Sequence, residues 1–380
     1  MKTLARLVAG IVLLLATGLA AWKVSLGEGR LPDRSTPPRI SPDLVQKVAD
    51  LDFPPGNIAV SEQGRVFLTL HPDGHPPAKV VELVDGKPRP FPGEEWQHEG
   101  ADLPWFQSVL SIRIDRAGLL WVLDFADYGR GQPRLLAFRV DTKELVHRYD
   151  IPREAAGLGS MLNDFQVSPD GLFVFIAETS PVLQRPAILV LDTTSGKVRR
   201  LLDNDPSVRS EKLDIHCGDR RMMLPGGLIP LRIAVDSIAL SRDGQWLYYG
   251  AVTGSTLWRV RTADLLDEAL LAKDLAARVQ RFADKTLSDG LTTDDDGNVY
   301  VSDMEHSAIH RIDPSGRLET LVAHPRLRWP DGFSFGPNGW LYASCSALQD
   351  VLFQPAEAVR AHAPYQVWKL QTGTTAAAGH

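Results

Sequence analysis

The sequence is poor in the residues that anchor familiar chemistries. Its 380 residues hold only two cysteines, Cys217 and Cys345, and no C-x-x-C pair. That excludes a cysteine-built zinc site and a thioredoxin-type redox pair. There is no H-E-x-x-H, no G-x-S-x-G and no phosphate-cradling glycine loop. A zincin, a serine-hydrolase elbow and a nucleotide enzyme are therefore unsupported. No N-x-[ST] sequon occurs, and no basic block interrupts a formal net charge of −6, so nucleic acid is not an expected partner. Long apolar runs are absent except for one, at the N-terminus.

What is present points to a large folded core. Hydrophobic residues make up 44% of the chain, enough to rule out disorder by composition. Glycine (31), proline (27) and tryptophan (9) are well represented, as expected of many turns between aromatic-bearing strands. At the N-terminus, "MKTLARLVAGIVLLLATGLAAW" places Lys2 and Arg6 before an apolar run from Leu7 to Trp22. This is the layout of a secretory signal, with small residues ending at Ala20. The run is short for a bilayer span, which needs roughly 20 residues. Residues 1–20 are thus expected to be a signal peptide or a membrane anchor, with 21–43 a Pro-rich linker and the mature protein secreted or periplasmic. Cleavage would remove Lys2 and Arg6 and leave a charge of −8. Export would permit Cys217 and Cys345 to pair, and two buried free thiols fit the sequence as well.

The stretch "LTTDDDGNVYVSD" at 291–303 resembles part of a calcium loop, with Asp294, Asp296 and Asp303 at three ligand positions. An internal repeat decides against that reading. A pattern of apolar alternation, polar turn, glycine and strand recurs six times, with turn glycines Gly64, Gly118, Gly171, Gly244, Gly297 and Gly339. Asp294–Asp296 occupy the place held by "SEQ" and "GPN" in other copies, so the acids belong to a hairpin turn. Each copy continues into further strands, and four strands in six units specify a six-bladed β-propeller. The sixth unit stops at "YQVWKL" without a fourth strand, while "LVQKVADL" at 44–51 precedes the first unit as an orphan. Pairing these two closes the ring and leaves no broken edge. The propeller is then 44–370, followed by a flexible tail at 371–380. Two insertions interrupt the repeat: 203–234, and 264–284 with apolar residues at helical spacing (Leu271, Leu275, Val279, Phe282). Both are expected to join an outer strand to the next inner strand, on the face where inner strands begin, and the second supplies the one short helical insertion.

Counting back eight residues from each turn glycine reaches the start of each inner strand. Asp236, Asp289 and Asp331 stand there in blades four to six, and Asn163 with Asp164 in blade three. Blades one and two offer Gly56 with Asn57, and Leu110 with Ser111. If these positions converge on the axis, four carboxylates share one funnel, and like charges at short range require a cation, a cationic ligand or a shared proton. Asn163, Asp164, Asp236, Asp289 and Asp331 are the candidate ligand-binding residues. Asn163, Asp236 and Asp289 are the candidate ligands of one divalent cation such as calcium. Asp and Asn before glycine are also ordinary turn formers. The histidines carry less: His98 and His216 fall in loops, and His306 and His310 flank a hairpin.

Several motifs, taken together, resemble the major royal jelly protein/Yellow family. "WFQSVLSIRIDRAGLLWVLDFADYG" is similar to its second blade and "RVFLTLHPDGHPPAKVVEL" with "RPFPGEEW" to its first. "IALSRDGQWLYYGAVTGSTLWRV" and "WPDGFSFGPNGWLYASCSALQ" resemble its fourth and sixth. The resemblance implies a six-bladed propeller, usually secreted, of a kind linked to dopachrome conversion or to binding small amines. A weaker similarity, in "MLNDFQVSPDG" and "LSDGLTTDDDG", runs to gluconolactonase/senescence-marker propellers, which hold a divalent metal in the channel with a first-blade glutamate. Here that strand reads "PPGNIAVSEQG", with Asn57 and no acid. The expected function is an exported, monomeric propeller that binds a small polar or aromatic molecule at the channel mouth, with dopachrome-type isomerisation as its chemistry. A metal-dependent lactonase and a non-catalytic envelope scaffold are the alternatives, and membrane contact is expected only through an uncleaved N-terminus.

Overall fold

In the computed structural model, which describes residues 29–100 and 105–377, the six repeats fold as six four-stranded antiparallel sheets. The inner strands are Pro55–Val60, Val109–Ile114, Leu162–Val167, Val235–Leu240, Leu291–Thr293 and Pro330–Phe335. Each contacts the inner strand on either side, and the sixth contacts the first. This is a closed six-bladed propeller. Four of these strands, Pro55–Val60, Val109–Ile114, Val235–Leu240 and Leu291–Thr293, are buried at every residue, because blades cover them on both faces. That is why the three longer ones read as near-continuous apolar runs. The turns that follow need glycine: all six turn glycines adopt φ between +70° and +82°, a region closed to most side chains.

The ring closes as expected. Gln46–Leu51 is the outer strand of blade six, antiparallel to Tyr365–Gln371, with Gln46 opposite Lys369 and Leu51 opposite Tyr365. Between blades one and two, Phe67, Phe91, Trp96, Phe106 and Phe138 form an aromatic cluster with ring centroids 4.9–6.1 Å apart. The apolar cluster between blades six and one runs on across the top of the molecule. It passes Leu287, Met304, Trp329 and Leu348 and reaches Ile215, Met222 and Leu231 of the 203–234 insertion. The insertion is therefore packed down beside the axis rather than projecting freely.

The second insertion is not where the repeat arithmetic puts it. Residues 262–284 form two short helices, Thr262–Leu266 and Ala272–Ala276, and then the strand Gln280–Asp284, which pairs with Thr256–Arg261. They join the third and fourth strands of blade four and lie on the face opposite the inner-strand starts. The helical stripe misled because Phe282, its last member, belongs to the outer strand, while Leu271, its first, is 60% exposed. Short helices also occur at Ala126–Gly129 and Ala356–Ala361, so the helical content is not confined to one insertion.

The terminal segments are held against the ring. Of the expected linker, residues 29–43 lie along blade five. Gly29 bridges to Leu213, Arg34 donates to Ser255 O at 2.8 Å and pairs with Asp284 at 2.9 Å. Thr36 and Thr320 exchange hydrogen bonds of 2.7 and 2.8 Å, and Arg39 meets Glu319 at 2.6 Å. This covers the outer edge of Leu318–Ala323, which would otherwise offer unpaired backbone. At the other end, the hydroxyl of Thr374 donates to Asp294 at 2.8 Å and that of Thr375 to Asp295 at 2.8 Å, so these residues of the expected tail contact the blade-five turn. Residues 1–28, with the signal or anchor, lie outside the described residues. Among the described residues no helix is long and apolar enough to cross a membrane. Cys217 and Cys345 are both free thiols.

Candidate ligand site at the channel mouth

The mouth is built by a repeated irregularity. In each of five blades the pairing of the inner strand with its neighbour breaks register near its start: between Pro55 and Ile58, Val109 and Ser111, Leu162 and Phe165, Val235 and Ile238, and Pro330 and Phe333. An extra residue of this kind kinks the strand and re-aims its side chains. Asn57, Asn163 with Asp164, Asp236 and Asp331 fall inside those breaks. In blade five Asp289 precedes the strand Leu291–Thr293, and its backbone N–H is held by the Ser302 hydroxyl at 2.9 Å.

All five predicted residues come together. Asp164, Asp236 and Asp289 are 6%, 5% and 8% exposed, and Asn163 and Asp331 are half-buried. Asp164 is the most fully engaged. It accepts from Asn57 Nδ2 at 2.6 Å and Ser111 Oγ at 3.0 Å, and Arg113 Nη2 stands 3.5 Å away. Asp289 Oδ2 accepts the indole N–H of Trp329 at 2.6 Å, and Asn163 hydrogen-bonds Asp236. Burial raises the carboxyl of Asp236 well above the ordinary 3.8, and Asp289, Asp164 and Asp331 push it further. Asp331 is raised well above 3.8 as well, by burial and then by Asp289 and Asp164. Asp289 is pushed up to about 6, chiefly by burial, with Trp329 and Lys285 opposing. Asp164 is raised by burial despite Arg113, Ser111 and Asn57. Asp236, Asp289 and Asp331 each feel the charge of Asp164, as carboxylates gathered at one mouth do.

Arg113 is the residue that sequence reasoning missed. Its fully buried guanidinium crosses the ring. Nη1 donates to Phe333 O at 3.0 Å on blade six and to Asn57 Oδ1 at 3.3 Å, and Nε donates to Phe165 O at 3.3 Å on blade three. Asp164 and Asp331 raise its proton affinity against the cost of burial. A signal was available: one arginine at the centre of the buried strand "VLSIRI". Trp329 and the fully buried Lys285, whose amine is lowered to about 7 by burial, were also passed over.

The other candidates have structural roles. Asp303 accepts from His306 Nδ1 at 2.9 Å and pairs with buried His310 Nε2 at 3.1 Å. His216 is tied by its backbone N–H to Glu305 at 2.6 Å, and His98 is exposed. Asp294 Oδ1 accepts backbone N–H groups from Asp296 and Asn298 at 3.0 and 2.8 Å, as a turn former does. Because the helical insertion lies on the far side, residues 203–234 are the one of the two insertions that shares the face of the mouth. Two surface cavities of about 280 and 270 Å³ lie off the axis, the first around Gln63 and Arg116, the second between Gln184 and Arg209.

The expected cation was Asn163, Asp236 and Asp289 around one divalent ion. Among the described residues no three or more acidic, histidine or cysteine side chains are arranged to hold a metal. Asp289 already receives Trp329, and Arg113 brings a positive charge to the same space.

A buried polar ring thus lies at the mouth of a closed six-bladed propeller, and the family can be stated. Residues 107–325 match the major royal jelly protein family, and the chain belongs to it. It is 25% identical over 189 residues to major royal jelly protein 7 of Apis mellifera, across 46% of this chain and 39% of that protein. The match thus spans well under half of the relative. The calcium-binding protein regucalcin of Agrobacterium tumefaciens superposes with a TM-score of 0.55 at 14% identity, covering 88% of this chain and 98% of that one. A gluconolactonase of Xanthomonas campestris gives 0.55 at 14% identity, covering 91% and 98%. At that identity the likeness establishes the shared propeller fold.

Proposed function

We propose that this protein binds a small polar or aromatic molecule bearing a cationic amine at the channel mouth, and transfers protons to and from it. One observation carries the reading: four carboxyl groups converge in a buried ring, with Arg113 beside Asp164 and Lys285 acting on Asp289 as the cations among the described residues. A ligand ammonium would lower the proton affinity of the ring and be held by it. The ring also separates its members. Burial and neighbouring carboxylates raise Asp236 and Asp331 well above the usual carboxyl range, which suits the donor role, whereas Asp289, pushed up to about 6, suits the acceptor role. Such a split within one site is what a tautomerisation needs. Asn163 and Asp164 orient the pair, Asp164 being the carboxylate nearest Arg113. The apolar run at residues 7–22 supports action outside the cytoplasm.

The test is titration calorimetry with a panel of aromatic amines and their neutral isosteres, followed by a catechol-derivative isomerisation assay. Amines should bind and isosteres should not, and an Asp236→Asn, Asp289→Asn double variant should lose binding at least tenfold. Equal binding of amine and isostere, or an unaffected double variant, would refute the reading. Stoichiometric calcium in the purified protein, with lactone hydrolysis, would instead support the lactonase alternative.

A further inference from the structure

The face that carries the mouth also carries most of the exposed apolar surface. Among the described residues ten large apolar side chains are exposed, and six of them lie in connections on this face. They are Leu158 (65%), Val182 (64%), Leu183 (58%), Leu228 (63%), Ile229 (43%) and Phe353 (49%). The other four are dispersed one to a loop on the opposite side. Exposed apolar residues scattered singly need no explanation, but these are grouped. Leu158 precedes Gly159, where an added Cβ would meet Leu183 at 3.0 Å and Val182 at 3.4 Å, so the three form one patch. Leu228 and Ile229 sit at the tip of the 203–234 insertion, beyond a turn closed by Gly227 N–H to Leu224 O at 3.0 Å. Phe353 stands in blade six with φ of +62°, an outlying conformation for a bulky residue. Three apolar tips around one rim define a plane.

The described chain begins beside the same rim. Gly29 bridges to Leu213 of the insertion, and Leu31 is buried in the cluster that includes Ile215 and Met222. Only residues 23–28 separate Gly29 from the apolar run ending at Trp22. Six residues reach roughly 20 Å when fully extended, which bounds the distance at which the run can end from Gly29. We infer that this face docks on a lipid bilayer, with the three apolar tips entering the interface and residues 7–22 entering the same leaflet. The insertion carries five acidic and five basic residues between 203 and 234. Docking is therefore apolar in origin and insensitive to salt and to lipid charge. The inference is independent of the ligand held at the mouth.

The experiment uses the full chain with Cys217→Ser, so that an environment-sensitive fluorophore can be placed at Leu228→Cys or, on the opposite face, at Leu172→Cys. The protein is mixed with phosphatidylcholine and phosphatidylglycerol vesicles containing brominated acyl chains. The label at 228 should shift to the blue and be quenched several-fold more than the label at 172, equally in low and high salt. Adding Leu158→Ser, Val182→Ser, Leu183→Ser and Ile229→Ser should reduce quenching at 228 to the level at 172. Equal behaviour of the two labels overturns the inference. Quenching that survives the four serines shows tethering without docking, and overturns it too. Self-association that the serines abolish, without quenching by lipid, assigns the patch to a second copy and likewise overturns it.

Discussion

Replacing Asp289 with Asn should make the protein more stable at neutral pH and leave it unchanged in acid. The carboxyl titrates near its ordinary 3.8 in the unfolded chain and at about 6 in the folded one. Between those values the native state binds a proton that the unfolded state has lost. Stability from this group is therefore full below about pH 4 and lost as pH rises through 6. The gap of about 2 pH units, at ~1.4 kcal/mol per unit, corresponds to about 3 kcal/mol forfeited above pH 6. Asn cannot ionise, and its side-chain oxygen can still accept the Trp329 indole N–H that Asp289 accepts at 2.6 Å. The assay is urea denaturation of wild type and Asp289→Asn from pH 4 to pH 8, at two salt concentrations. The curves should coincide near pH 4 and diverge to about 3 kcal/mol by pH 7, with little salt effect because the group is buried. Asp170 is the control, since its turn carboxyl is held below the ordinary value by the Ser168 hydroxyl. Asp170→Asn must show no gain at neutral pH. A difference between Asp289→Asn and wild type that does not change from pH 4 to pH 8 would mean the carboxyl pays no ionisation cost, and the account of the mouth would fail.

Three further outcomes are expected. Arg113→Met should cost about 3–5 kcal/mol, because Asp164 then stands buried without its cation; adding Asp164→Asn should recover part of this in a double-mutant cycle. Asp303→Asn should cost about 2–4 kcal/mol by losing its bonds from His306 and His310. Asp303 is held low and His306 high by their pairing. The deficit measured by denaturation should therefore be greatest between those two titrations, shrinking as acid protonates Asp303 and as alkali discharges His306. Removing residues 29–51 takes away the fourth strand of blade six and the cover on blade five, so calorimetry should show loss of a single cooperative transition.

The propeller was legible because its turns demand unusual chemistry. Gly64, Gly118, Gly171, Gly244, Gly297 and Gly339 all need positive φ, and that requirement shows through the sequence wherever a blade turns. Strand closure was legible because an unpaired edge at "YQVWKL" had one available partner. The acidic ring followed from a constant offset, yet the reason the offset works, a register break at the same place in five blades, leaves no local mark. Arg113 shows the limit of such reading. Its acceptors Asn57, Phe165 and Phe333 lie up to 220 residues away, so its role exists only once the ring is closed. The 264–284 segment failed differently: a helical period fitted four residues of which one, Phe282, lies in a strand. The Pro-rich 29–43 segment looked like a tether because its partners, such as Thr320 and Glu319, are nearly three hundred residues distant.

The same repeat contains two kinds of aspartate, and their electrostatics separate a turn former from a member of the proposed site. Asp170, Asp243 and Asp313 sit in hairpin turns and are held below 3.8 first by Ser168, Ser241 and Ser315. Each stabilises the loop that contains it, as a turn former should. The aspartates eight residues before the glycine behave in the opposite sense. Asp236, Asp289 and Asp331 are raised, with burial as the leading cause and neighbouring carboxylates, Asp164 among them for all three, as a further one. Blades one and two place Gly56 and Leu110 at that offset, with Asn57 and Ser111 one residue later where blade three has Asp164, so neutral residues satisfy this backbone. Four carboxyls held where neutral groups would serve are a local rule broken without structural gain, and such breaks collect at functional sites. A ligand cation seated among them would remove the repulsion that destabilises the empty ring. Every unit by which that repulsion raises a carboxyl in the free protein is then available as affinity when the cation binds.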